Sequence, residues 1–595
     1  MLFPAIKNGN TAATVDDASR QASTAAVHTA SAALLEALQD LGVEFIFANF
    51  GSDHPAIIES LAAARATGRA VPRVITCPNE MVGMSAAHGF AAATGRPQAV
   101  LVHVECGTQA LAGAIHNAAK GRIPIFIFAG ASPVTQEGEL AGSRNEFIQW
   151  IQDVHDQRGI VRGYMRYDNE IRSAANVKQL VARAFQIARS DPKGPVYLTG
   201  AREVMEASAP VVKLNPEHWK PTAPAALAPD SVAELARALS SARAPLFVTS
   251  FLGRNPAAVE GLVRLCERLG AGVLESVPNY VNFPHDNRLY LGNQWNEPRQ
   301  NAALAEADVV VIIDSDIPWI PSASAPMSGA RIYHIDVDPL KLQMPVWYIP
   351  ARERFAADAR TALQQLNAEL DGIALDLPLV ESRRRRWEEL HQRRRTMLSK
   401  RESPGEGLTP EYLTAAIRRR ISARTLVINE GVSNYQTIFD HLAMSRPGCM
   451  FSSGGGSLGW NGGAAIGAKL AHPDSTVIAL TGDGSYMFSI PSSVHWMARR
   501  YGTPFLTVIY NNGGWKSPKL STLAVHQDGY ASRSLDLDLG FDPQSDYGGI
   551  AAAAGGAHAR TVNRADELEP ALEACLHAVQ VEGRCSVLDV RLARL

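Results

Sequence analysis

The sequence predicts an α/β protein made of three consecutive parallel-sheet domains. Short apolar runs alternate with amphipathic helical stretches along almost the whole chain. Strands without a polar face belong to parallel sheets covered by helices on both sides. The 595 residues suffice for three large domains. A Pro-rich stretch and an Arg-rich stretch cut the alternation into three blocks.

Residues 1–26 have no continuous apolar core and read NGNTAATVDDASRQASTAA over 8–26, which predicts a flexible tail and not a secretory signal. The first block, 27–200, opens with ASAALLEALQDL (30–41), whose apolar residues follow a helical period and stop at Gly42. FIFANFG (45–51) is a buried strand running into a glycine turn. Helices over 54–66, 80–94 and 109–119 then alternate with strands over 73–77, 99–104 and 123–129. Residues 201–225, with Pro210, Pro216, Pro221 and Pro224, form a linker. The second block, 226–370, repeats the pattern through PLFVTS, a helix over 256–269, ADVVVIIDSD and ARIYHIDVD. A second linker, 371–407, holds ESRRRRWEELHQRRRT at 381–396, read as a solvated connecting helix. The third block, 408–595, has strands LVINEG (426–431), TVIALTGDG (476–484), PFLTVIYNN (504–512) and SVLDVRL (586–592).

Composition excludes some classes of function. Lys plus Arg number 57 and Asp plus Glu 59, a formal charge of −2, which gives no argument for nucleic acid or an anionic membrane as partner. No apolar run is long enough to span a bilayer. The six cysteines include no CxxC pair, which implies neither a metal knuckle nor a disulfide framework and points to a reducing cytoplasm.

The strongest chemical signal lies in the third block. Gly482-Asp483-Gly484 follows a buried strand and Asn511-Asn512 ends the next, with 26 residues between Gly484 and Asn511. Asp483 offers a hard anionic oxygen and Asn512 a neutral amide oxygen from the neighbouring strand. Gly482 and Gly484 let the backbone approach phosphate oxygens. A helix beginning there would turn its free N–H groups toward a diphosphate. The pattern is that of a divalent-metal diphosphate site at the carboxyl ends of parallel strands.

This run resembles the thiamine-diphosphate-binding motif, and about 28–595 is similar to the acetolactate-synthase-like superfamily of thiamine diphosphate enzymes. The resemblance makes the first block the pyrimidine-binding domain, the second a central domain and the third the diphosphate-binding domain. PNEMVGMSAAHGFAAATG (78–95) is similar to the family's glutamate helix and places Glu80 on its catalytic carboxylate. In SGGGSLGWNGGAAIGA (453–468), Leu458 falls on the apolar wedge that bends the cofactor and Gly456 on a backbone contact to its amino group. Ser433 and Asn434 fall in a loop that contacts the diphosphate, joined by Gly482, Gly484 and Ser485. The resemblance implies Mg²⁺ on Asp483, Asn512 and the carbonyl of Gly514. It further implies ylide and enamine chemistry and an isologous homodimer at minimum, or a tetramer of two dimers, because Glu80 and the diphosphate motif meet across chains.

The leading expectation is a carbon–carbon lyase or carboligase acting on a 2-oxo acid or acyloin. The alternatives are a 2-hydroxyacyl-CoA lyase, a 2-oxo acid decarboxylase or oxidase, and a non-catalytic cofactor-binding relative. Asn79 stands where many relatives carry His, and no His-His pair occurs in the first block. Both features argue against rapid protonation of an intermediate and for ligation. The candidate substrate-facing residues are His54, Asn79, Gln109, Gln136, Trp460 and Trp515, with Lys516 and Lys519 placed to attract a carboxylate or a CoA phosphate. The central domain leaves FAD, or an adenine nucleotide, open. The chain reaches Leu595 soon after its last strand, which predicts an open entrance.

Overall fold

A computed structural model describes residues 28–404, 407–534 and 536–593. The tail over 1–26 lies outside the described residues. Three six-stranded sheets follow one another, and every strand pairing in them is parallel.

The first sheet holds β1 (Phe45–Ala48), β2 (Arg73–Thr76), β3 (Ala99–Val102), β4 (Phe126–Ala131), β5 (Tyr167–Ile171) and β6 (Val196–Ala201), in the order β2-β1-β3-β4-β6-β5. The second holds β7 (Pro245–Thr249), β8 (Gly272–Ser276), β9 (Tyr290–Gln294), β10 (Val309–Ile313), β11 (Arg331–Asp336) and β12 (Glu353–Ala356), in the order β12-β11-β10-β7-β8-β9. The third holds β13 (Thr425–Glu430), β14 (Met450–Ser452), β15 (Thr476–Gly482), β16 (Leu506–Asn511), β17 (His558–Val562) and β18 (Ser586–Arg591), in the order β14-β13-β15-β16-β18-β17. The first and third sheets therefore share one topology. Their strand order reverses between β1 and β3, and between β13 and β15. In doubly wound sheets, ligands bind outside the carboxyl ends of strands at such a reversal.

The first and third domains also share an apolar core. Phe47, Val82 and Ile127 belong to the same buried cluster as Trp460, Ile466 and Ala479. The Glu80–Thr94 helix packs along the Trp460–Ala471 helix, with Gly89 against Ala464 and Gly467 against Ala86. The central sheet has a separate core that includes Leu246, Val310 and Trp387.

Two sequence expectations change. The helix over 109–119 is two helices, Val104–Ala110 and Ala112–Lys120, broken where Ala112 takes a left-handed φ of 44°. The Arg-rich stretch lies on a 23-residue helix, Leu377–Ser399, that is not solvated all round. Val380, Arg383, Trp387 and His391 are buried on one face. Arg383 donates to the carbonyl of Leu269 at 2.9 Å and to that of Ser240 at 2.7 Å, so its charge caps two helix ends of the central domain. No helix among the described residues is long and apolar enough to cross a membrane.

Candidate active site

The reversal point of the first sheet gathers polar side chains. Asn49 follows β1, Glu80 starts the helix after β2, and His103 follows β3. Asn49 Nδ2 donates to Glu80 Oε1 at 2.8 Å. Asn79, expected to face substrate, instead caps the Glu80 helix. Its Oδ1 accepts from the N–H of Met81 at 3.0 Å and of Val82 at 3.3 Å, satisfying donors that a helix start leaves free.

His103 was not singled out by the sequence. Its Nδ1 is 2.5 Å from Asp53 Oδ1, and its Nε2 is 3.0 Å from Gln152 Oε1. Both ring nitrogens thus face acceptors, the arrangement of an imidazolium. The hydrogen bond to Asp53 holds the His103 pKa above the ordinary histidine value. Burial would raise the Asp53 carboxyl, but His54 and His103 outweigh it and hold it well below the usual range. His54, the sequence's candidate, is fully buried, accepts from the N–H of Gly51 at 3.1 Å through Nδ1, and packs against Phe50 and Phe128. It supports Asp53 and faces no open cleft. Gln109 is exposed and donates to Glu105 Oε2 at 3.2 Å. Gln136 is exposed, and its Oε1 accepts from Trp150 Nε1 at 3.4 Å.

The reversal point of the third sheet carries the diphosphate motif. Asp483 is buried at the end of β15, where Oδ1 accepts from the N–H of Gly484 at 2.9 Å and Oδ2 from that of Gly513 at 2.8 Å. Burial pushes its pKa up, and among the described residues no Lys, Arg or His pairs with it. Asn511 is used structurally, donating to Asp589 Oδ1 at 2.8 Å. Asn512 Oδ1 turns toward the N–H of Gly514 at 3.4 Å. The turn over 511–514 therefore brings Asp483, Asn512 and Gly514 together. A Cβ on Gly484 would lie 2.3 Å from the Trp515 ring, so glycine is needed for the indole to cover the motif. Trp515 is half-buried, edge-on to Phe488 and Phe541.

Across the same reversal, Glu430 ends β13. It accepts from the N–H of Trp460 at 3.2 Å, from the N–H of Asn461 at 2.9 Å and from Asn461 Nδ2 at 2.6 Å. Burial pushes its carboxyl up to about 7 despite these donors. Glu430 thus ties the start of the Trp460–Ala471 helix to the 431–434 loop. Gly456 is exposed, with open space where a Cβ would stand, and Leu458 is half-buried. Ser433 is exposed, while Asn434 and Ser485 are buried. Trp460 faces no substrate, because it is buried edge-on against His88 at 5.1 Å between ring centroids.

The donor set at 483, 512 and 514 is carboxylate, amide and carbonyl oxygen, the hard ligands suited to a divalent cation bound with phosphate. Among the described residues no group of three His, Cys, Asp or Glu side chains is placed to hold a metal, and an Asp–Asn–carbonyl set contains no such group. A buried carboxylate with no cationic side chain beside these oxygens fits a divalent cation. Sequence reasoning passed over His103 and Asn49, and took Glu430 only as the start of the loop that carries Ser433 and Asn434. The signal for each was its place at the carboxyl end of a strand beside a reversal.

Comparison with known proteins gives three consecutive matches. Residues 28–160 match "Thiamine pyrophosphate enzyme, N-terminal TPP binding domain", 232–366 match "Thiamine pyrophosphate enzyme, central domain", and 431–590 match "Thiamine pyrophosphate enzyme, C-terminal TPP binding domain". The chain is 23% identical over 492 residues to the acetolactate synthase large subunit of Haemophilus influenzae, covering 80% of this chain and 81% of that one. It is 26% identical over 499 residues to benzoylformate decarboxylase of Pseudomonas aeruginosa, covering 82% and 86%. The fold superposes on a thiamine diphosphate-dependent 4-hydroxybenzoylformate decarboxylase of Rhodococcus jostii RHA1 with a TM-score of 0.76 at 21% identity, over 95% and 99% of the two chains.

Proposed function

The chain belongs to the thiamine pyrophosphate enzymes, and from that membership we propose a carbon–carbon lyase or carboligase acting on a 2-oxo acid or an acyloin. The observation that carries the reading is Glu80, fixed by Asn49 at the reversal point of the first sheet, where His103, held by Asp53, follows the neighbouring strand. The relatives named above, an acetolactate synthase and a benzoylformate decarboxylase, bracket this chemistry.

Asp483, Asn512 and the Gly514 carbonyl would hold Mg²⁺. Gly482, Gly484, Ser485, Ser433 and Asn434 would surround the diphosphate, and Gly456 and Leu458 would meet the rings of the cofactor. Bound thiamine diphosphate would supply a nucleophilic carbon and an electron sink for the acyl carbon of the substrate. Glu80 would hold and return a proton at its carboxyl, with Asn49 fixing the orientation of that group. His103, whose pKa Asp53 raises, would in its charged form bind the carboxylate of a 2-oxo acid and deliver a proton to the product. That last role favours a second reading, a 2-oxo acid decarboxylase. The sequence argued against it for want of a proton-capable side chain, and His103 is one.

Replacing His103 with Gln should lower kcat/KM for a 2-oxo acid by about 10²-fold and leave turnover of an acyloin, which has no carboxylate, less affected. The charged form of His103 predominates below its raised pKa. Activity that needs it should fall as pH rises through a value above the ordinary histidine range. Rate profiles with pyruvate, an aromatic 2-oxo acid and benzoin test this. An alkaline limb unchanged in the variant would remove His103 from the reaction, and no turnover of any donor would reject the function.

We further propose a homodimer at minimum, with a tetramer of two dimers as the larger form. Phe147 at 76%, Ile151 at 69% and Val134 at 71% exposure lie on the stretch of the first domain that leads to Gln152, the partner of His103, and Phe488 at 52% and Leu520 at 55% flank the diphosphate motif. Two such apolar faces on one chain suit an isologous pairing. Sedimentation showing a fully active monomer would contradict it.

A further inference from the structure

The central sheet, read β9-β8-β7-β10-β11-β12, has the doubly wound order in which a dinucleotide sits in the crevice outside the switch-point strands, here β7 and β10. In this chain that crevice is filled. Arg254 donates to both oxygens of Asp314, just past β10, at 3.0 and 3.1 Å. Lys341 bonds Asp316 and Asp336, each at 2.7 Å. Into the same cluster reaches Arg122, which belongs to the first domain. It contacts Asp316 at 2.6 Å and Asp336 at 3.0 Å, and its guanidinium lies 5.2 Å from the ring centroid of Phe251, which follows β7.

Three cations meet Asp314, Asp316 and Asp336, with Asp191 a fourth carboxylate 3.8 Å from Arg254, so the cations are neutralised without any anionic ligand. Arg122, Asp314, Asp336 and Lys341 are all buried. Burial would raise the Asp336 carboxyl, but Arg122 and Lys341 outweigh it and hold it well below the usual range. The cleft left beside Arg122 measures 260 Å³, short of the roughly 300–1,000 Å³ of small-molecule pockets, and the 680 Å³ cleft that adjoins it past Lys120 and Gln343 is lined by Trp319, Val346 and Tyr348 and by no residue of the β7 end.

Arg122 is also joined to the cofactor loop. Its backbone is left-handed, with φ 57°, a conformation a long side chain keeps only where its surroundings impose it. The preceding Gly121 lies directly on the 453–457 loop, and a Cβ on Gly454 would be 2.3 Å from Gly121 Cα. Asn117, one turn earlier, donates to the Ser457 carbonyl at 2.8 Å and accepts from the Ser457 N–H at 3.1 Å. From the other side, the Ser452 N–H donates to the Asn279 carbonyl of the central domain at 2.9 Å.

We propose that Arg122 is a built-in occupant of the central crevice, standing where a flavin or adenine nucleotide would otherwise bind, and that it thereby positions the loop carrying Gly456 and Leu458. Cofactor binding through that loop rests on the function proposed above, whereas exclusion of nucleotide does not. FAD, left open by the sequence, therefore has no place in this crevice.

The full-length protein should carry no visible flavin absorbance when purified and should bind neither FAD nor ADP in equilibrium dialysis. Arg122→Ala should weaken thiamine diphosphate binding with Mg²⁺, followed by tryptophan fluorescence, by about tenfold or more, the scale of losing a supporting partner. Arg122→Lys should recover part of the loss. If the Ala variant does not fold, the Lys variant alone should still bind more weakly than wild type. Lys341→Met removes a charge from the same cluster without touching the loop. It should lower thermal stability and leave cofactor affinity within about twofold, since Lys341 makes no loop contact for a positioning effect to act through. Stoichiometric FAD or ADP on the wild type, an Arg122 variant with unchanged cofactor affinity, or equal loss in Arg122→Ala and Lys341→Met would each overturn the proposal. A wild type that binds no thiamine diphosphate would instead refute the proposed function, leaving the dialysis result to decide whether the crevice is filled.

Discussion

Glu80→Gln should keep thiamine diphosphate affinity and lower kcat/KM by about 10²–10⁴-fold, the range for loss of a positioned acid–base group. Gln differs from Glu by one atom and retains an oxygen where Asn49 Nδ2 donates at 2.8 Å, so the orientation of the side chain survives. The Asn79 cap on Met81 and Val82 is untouched, so the helix survives as well. What disappears is the ability of the group to take up and return a proton. Steady-state rates should fall, and NMR should show slowed deuterium exchange at the reactive C–H of bound thiamine diphosphate. Wild-type exchange in the variant would exclude Glu80 from the reaction. Because fold and affinity are expected to stay constant, a drop in thermal stability would mark the residue as structural instead.

The three sheets were legible because strands buried on both faces appear as unbroken apolar runs, of which VVVII at 309–313 is the clearest. Two of the edge strands were not. β5 reads YDNEI and β12 reads ERFA, and an edge strand with one half-wet face has too few apolar residues to stand out. The diphosphate motif was legible because Asp483 and Asn512 lie on neighbouring strands at a fixed separation, so that spacing reports proximity.

Residues whose neighbours are distant in sequence were not legible. His54 and His103 look equally plausible in a list. Only the fold shows that Asp53 holds both, His54 fully buried and His103 part-exposed with its other nitrogen on Gln152. Trp460 follows a glycine-rich turn, as an exposed aromatic would, yet the first turn of its helix faces His88 across the domain boundary. Arg122 carries no local signal at all, since its partners stand 194 and 214 positions away.

Asp483→Asn should have opposite effects on the cofactor-free and the loaded protein. Without a cation the Asp483 carboxylate is buried among backbone N–H donors, and burial raises its pKa. The folded state then binds a proton more readily than the unfolded chain does. Stability contributed by this group is therefore present at low pH and is lost as pH rises through the ordinary carboxylate range. Asn keeps an oxygen for the Gly484 N–H but turns its NH₂ on the Gly513 N–H; removing the buried charge outweighs that one lost hydrogen bond, so the cofactor-free variant should be at least as stable as wild type at neutral pH and less sensitive to pH. Loading reverses the sign, because a divalent cation needs that charge and Asn512 and Gly514 offer only neutral oxygens. Calorimetry with thiamine diphosphate and Mg²⁺ should show affinity falling by more than the roughly 10–100-fold that outer-shell partners are worth. Melting curves across pH supply the other half of the test. Unchanged affinity would remove Asp483 from the metal site, and a less stable cofactor-free variant would show that the carboxylate is a structural partner of the 511–514 turn and not a ligand held in readiness.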